Sequence, residues 1–80
     1  MTRATFNELY FSKKSRVTNK ESGYKYTILF RLDKEVFEAK AYYLDDEEAE
    51  YMYGAEAFEN ETADDFIKRV KNEVKNHEDL

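Results

Sequence analysis

Residues Tyr24–Leu44 read YKYTILFRLDKEVFEAKAYYL, and this stretch decides the fold. In its first half Tyr24, Tyr26, Ile28, Phe30 and Leu32 alternate with Lys25, Thr27, Leu29 and Arg31, the period of a strand with one buried face. In its second half Phe37, Ala39, Ala41 and Tyr43 share a face opposite Val36, Glu38, Lys40, Tyr42 and Leu44. A tight turn centred on Asp33 and Lys34 sets Phe30 opposite Phe37, Ile28 opposite Ala39, Tyr26 opposite Ala41 and Tyr24 opposite Tyr43. All four pairs fall on one face, whereas a one-residue slip would turn that face against the more polar side of its partner. Asp-Lys is a weaker turn pair than Asn-Gly, and a four-residue loop from Leu32 to Glu35 keeps the same register.

Two strands alone are marginal in water, so the apolar face of this hairpin needs a cover. Ala63, Phe66, Ile67, Val70 and Val74 fall on one stripe at helical spacing and predict a helix from about Thr62 to His77. Thr62 with Asp65 three residues later fits a capping box, and Asp64 and Asp65 favour the positive end of the helix. Asp64 with Lys68 and Asp65 with Arg69 stand at i, i+4 spacing. The expected fold class is therefore α+β: a small antiparallel sheet built on a hairpin at about 24–44, packed against a C-terminal helix at about 62–77.

The remaining segments carry weaker patterns. Thr5–Lys14 fits a helix with Phe6, Leu9 and Tyr10 on one side, or a strand with Leu9 and Phe11 pointing one way. Residues 12–23 are polar and predict an exposed, flexible loop. Asp46–Phe58 predicts a short acidic helix capped by Asp45, with Ala49, Met52 and Tyr53 inward; Tyr51–Tyr53 can instead form an additional strand, and Gly54 interrupts either version.

The chain has 80 residues, too few for a second independent core, and is expected to form one domain over 1–80. Pro and Cys are absent and Gly occurs only at 23 and 54. Disulfides and thiolate metal sites are thereby excluded, and no Gly-rich phosphate loop can be built. The single histidine, His77, lies near the C-terminus, where fraying into solvent is expected. Ser12, Ser15 and Ser22 have no histidine near them in sequence, so no activated nucleophile is expected. From Asp45 onward the calcium-loop pattern fails, with Ala49 at its fifth position and Glu50 where glycine is required. These features predict a protein that is not an enzyme, with no cofactor and no metal. No apolar run of signal-peptide length follows Met1, Thr2 and Arg3, which predicts a cytoplasmic protein with no membrane partner.

Charge is distributed unevenly. The formal net charge is −5. Residues 41–67 contain Asp45, Asp46, Glu47, Glu48, Glu50, Glu56, Glu59, Glu61, Asp64 and Asp65, and no Lys, Arg or His. Such a balance argues against direct nucleic-acid binding. The block could be a solvated face, partly neutralised by Lys13, Lys14, Arg16 and Lys20. Read as a binding surface, Asp45, Asp46, Glu47, Glu48 and Glu50 are candidate phosphate surrogates. Glu56 and Glu59 then extend the surface, and Tyr51 and Tyr53 are candidate anchors of the kind enriched at interface hot spots.

In size, acidity, lack of cysteine and the order of hairpin, acidic segment and helix from Tyr24 to Val74, the chain resembles the small phage-encoded inhibitors of host defence. These are the anti-CRISPR and anti-restriction proteins, some of which mimic DNA. The resemblance implies a non-enzymatic inhibitor, acting in the host cytoplasm, that occludes a basic nucleic-acid-binding protein such as a CRISPR effector or restriction enzyme. The alternative is a small accessory or antitoxin-like subunit, monomeric or homodimeric, whose sheet buries Leu29, Tyr42 and Leu44 between chains. Moderate salt would release the first kind of partner, whereas a sheet interface would resist it.

Overall fold

A computed structural model of the protein describes residues 13–33, 36–44, 46 and 50–80. Four strands, β1 (Lys13–Thr18), β2 (Lys25–Asp33), β3 (Val36–Tyr43) and β4 (Tyr53–Glu56), are followed by one helix, α1 (Ala63–Asn76). The strands form an antiparallel meander in the order β1-β2-β3-β4. The helix covers one face of it, giving the α+β architecture of a small sheet beneath a C-terminal helix. Most of residues 5–14, which fit either helix or strand, lie outside the described residues; Lys13 and Lys14 begin β1.

The hairpin forms, but its register differs from the expected one by two residues. Ile28 stands opposite Ala41, Phe30 opposite Ala39 and Tyr26 opposite Tyr43, and the two strands close at Asp33 and Val36. A two-residue shift keeps every side chain on its predicted face, so alternation alone cannot detect it. Cross-strand chemistry separates the two registers. The observed one sets Arg31 against Glu38, with Nε 3.2 Å from Oε1, and stacks Tyr43 on Tyr26 with ring centroids 5.2 Å apart. It also places the large Phe30 and Ile28 beside alanines, where the expected pairing would have set Phe30 against Phe37. Tyr26, Ile28, Phe30, Phe37, Ala39 and Ala41 are all buried.

The helix closes the core as its stripe predicts. Ala63, Phe66, Ile67, Val70 and Val74 are buried, and Phe66 meets Phe30 edge-on at 5.8 Å. Thr62 is the N-cap, its Oγ1 accepting from the Asp65 N–H at 3.1 Å. The expected i, i+4 pairing of Asp65 with Arg69 is replaced, because the Arg69 guanidinium turns to Glu61 and Glu73.

Three further expectations are corrected. The segment read as a flexible loop holds strand β1 over Lys13–Thr18. Its three cations and one half-buried valine, Val17, suit an edge strand, which satisfies the β2 backbone while burying little. The turn after it is anchored by Asn19, which is fully buried. Its Nδ2 donates to the Val74 and His77 carbonyls at 2.7 and 2.8 Å. Its Oδ1 accepts from the Glu21 and Ser22 N–H groups at 2.9 Å each and from Ser22 Oγ at 3.2 Å. Gly23 completes the turn at φ 77°, where a side chain would be strained.

The short acidic helix expected over Asp46–Phe58 is absent from its described part, where β4 runs from Tyr53 to Glu56. Tyr53 and Ala55 turn inward with period two, and Met52, expected inward, is exposed. His77 does not fray. It is the C-cap of α1, half-buried, with its ring 5.8 Å from that of Tyr53.

Candidate functional site

Four exposed acids of the block lie around β4. Asp46 and Glu50 belong to the connection that enters β4, while Glu56 ends the strand and Glu59 follows it. A four-residue strand spans about 10 Å, so the two groups of acids are separated by roughly that distance along the strand. Asp46, Glu50, Glu56 and Glu59 are exposed and, among the described residues, form no ion pair. Asp45, Glu47 and Glu48 lie outside the described residues.

The two candidate anchors separate. Tyr53 points to the core side, half-buried against it, and is no surface anchor. Tyr51 is exposed and lies across Gly54, where a Cβ would stand 3.1 Å from its Cε2. Its ring already receives a cation of the same chain, for Lys40 Nζ sits 5.0 Å from the ring centroid and 3.8 Å from Glu38 Oε1. Glu38, Lys40, Tyr51, Gly54 and Glu56 line a shallow open depression on the face of the sheet opposite α1. Glu38 was not singled out by the charge count. It enters because β3 pairs Glu38 with Glu56, a proximity that only the register reveals.

Beyond β4, one arginine fastens the chain. Arg69 reaches Glu61 through Nε–Oε2 at 2.7 Å and Nη2–Oε1 at 2.9 Å, and its Nη2 also donates to the Glu56 carbonyl at 2.9 Å. Glu61 Oε1 accepts in turn from the Phe58 N–H at 3.0 Å. The guanidinium carbon lies 4.1 Å from the centroid of the exposed Phe58 ring. Hydrogen bonding from Arg69 holds the Glu61 carboxyl below the usual carboxylate range, overcoming the opposite effect of burial, and the Phe58 N–H adds to the lowering. The segment that carries Glu56 and Glu59 is thus held by side-chain bonds at both ends.

At the other end of β4 the sheet presents tyrosines absent from the sequence-based list. Tyr24 is 58% and Tyr43 39% exposed, their rings edge-to-face at 5.8 Å. Tyr26 beneath them is fully buried, and its hydroxyl has no hydrogen-bond partner among the described residues. Burial, followed by the neighbouring Tyr43, pushes the Tyr26 phenol above its ordinary pKa. The Asp46 N–H donates to the Tyr43 carbonyl at 3.0 Å, tying the acidic connection to this cluster.

The sheet face opposite α1 offers less to a second chain than the alternation suggests. Leu29, Tyr42 and Leu44 are each half-buried within one chain, and Thr27 on the same face is buried. Among the described residues no three His, Cys, Asp or Glu groups are placed to hold a metal, and no helix is long and apolar enough to cross a membrane. No family model, curated protein or solved structure matches the chain.

Proposed function

We propose that the protein is a non-catalytic inhibitor of the anti-CRISPR or anti-restriction kind, which occupies the cationic groove of a nucleic-acid-binding protein with the acidic margin around β4. The observation that carries this reading is the exposure of Asp46, Glu50, Glu56 and Glu59 around β4 with no ion pair among the described residues. Glu56 on the strand and Glu59 in the tethered segment after it carry charge in place, and fixed charge costs little reorganisation on binding. Long-range attraction speeds the encounter with a basic surface, while desolvated contacts at the centre slow release.

The test is competition. A CRISPR effector or restriction enzyme that binds the protein should lose duplex DNA from its groove as the protein is added, and should release the protein itself as salt is raised. The variant Asp46→Lys/Glu50→Lys/Glu56→Lys/Glu59→Lys should fail to compete while keeping its circular dichroism spectrum. If that variant competes as well as the parent, the acidic margin is not the interface.

A further inference from the structure

We infer that the end of the sheet where Tyr24 and Tyr43 meet the acidic connection is an arginine-recognition site, the anchor of the acidic interface proposed above, on which this inference rests.

The chain's own habits point there. Besides this pair the described residues expose two large rings, and both are already served from within: Tyr51 by Lys40 at 5.0 Å and Phe58 by Arg69 at 4.1 Å. Tyr24 and Tyr43 are the exposed rings over which no cation of the described residues lies. Their geometry is fixed in advance. Tyr43 lies nearly parallel to the buried Tyr26, at 25° and 5.2 Å, and Tyr24 stands edge-on to Tyr43. A ring held in this way loses little rotational freedom when a partner stacks on it.

One further feature selects the occupant. Asp46 is exposed and follows Tyr43 by three residues, its backbone bound to the Tyr43 carbonyl, so negative charge is stationed beside the rings. A guanidinium matches the rings and the carboxylate together. It is planar and stacks on a ring face, it is weakly hydrated, and its five N–H donors leave some free for a carboxylate while it stacks. A lysine ammonium has no plane to stack and is more costly to dehydrate.

The experiment uses fluorescently labelled octa-arginine and octa-lysine peptides, of equal charge, titrated with the intact protein at low salt. Octa-arginine should bind about tenfold more tightly. The variant Tyr24→Ala/Tyr43→Ala should bind both peptides with the affinity the parent shows for octa-lysine. Because Tyr43 supports Tyr26, Tyr24→Ala alone is the second variant; its ring is mostly in solvent, and its loss should reduce the arginine preference severalfold with the fold intact. Equal binding of the two peptides by the parent, or a preference that survives Tyr24→Ala undiminished, overturns the arginine site and leaves the acidic interface standing. Binding of neither peptide overturns the acidic interface, and the arginine site with it.

Discussion

Arg69 and Glu61 meet through two near-parallel hydrogen bonds, 2.7 and 2.9 Å long, and the same guanidinium closes on the Glu56 carbonyl. This is the fork geometry that lysine cannot reproduce. Arg69→Lys should therefore destabilise the fold by about 1–3 kcal/mol, since it leaves a largely buried carboxylate short of donors. Glu73→Ala, which removes the longer and more exposed 3.4 Å contact, should cost less than about 0.5 kcal/mol. Urea denaturation of the two variants beside the parent checks the ordering.

The same pair makes stability depend on acid. Glu61 has a depressed carboxyl pKa in the folded state, so its contribution is complete above the ordinary glutamate value of about 4.3 and is lost as pH falls through the folded pKa. Glu61→Gln removes this dependence. The parent should be the more stable protein at neutral pH, and the gap between the two should narrow steadily below about pH 4. A constant gap down to pH 2.5 in urea titrations would contradict the assignment.

Asn19 offers a sharper contrast between two substitutions. It donates to two carbonyls at the end of α1 and accepts from the turn after β1. Asn19→Asp keeps the accepting half but sets a carboxylate against two carbonyl oxygens at the negative end of the helix. Despite its matching shape it should be at least as damaging as Asn19→Ala, with both losing about 2–4 kcal/mol. Amide exchange at Glu21 and Ser22 distinguishes them, because only the alanine variant also releases those two N–H groups.

At Gly23 space is open but the backbone is not. Beyond its chain neighbours no described atom lies within 4 Å of the position a Cβ would take, yet φ is +77°. Gly23→Ala should cost about 1 kcal/mol from backbone strain alone, and Gly23→Asn less, since asparagine tolerates this region. A thermal shift of several degrees for alanine and a smaller one for asparagine is the expected result.

What the residues revealed in advance followed from how far each pattern constrains the backbone. The stripe from Ala63 to Val74 and the Thr62 cap are local, and the helix appeared with its ends where they were read. The hairpin showed its faces but not its register, because a period of two is blind to a shift of two; only the Arg31–Glu38 and Tyr26–Tyr43 pairs distinguish the observed alignment. Strand β1 was hidden by its cations, which mark an edge as readily as a loop. At the candidate site, Glu56 and Glu59 could be found by counting charge. The pairing of Glu38 with Glu56 and the meeting of Tyr24 with Tyr43 join residues distant in sequence, and no local pattern carries them.

Among the described residues the two outer strands of the sheet carry opposite signs: β1 bears Lys13, Lys14 and Arg16, whereas β4 is bordered by Asp46, Glu50, Glu56 and Glu59. Like margins repel, so two molecules are kept from joining β1 to β1 or β4 to β4. The lateral union that charge does favour, β1 of one molecule on β4 of the next, leaves a fresh margin at each end and grows as an open filament. A β4 of four residues gives such a filament few ladder bonds per joint. The brevity of the strand beside the acids thus also weakens any such joint.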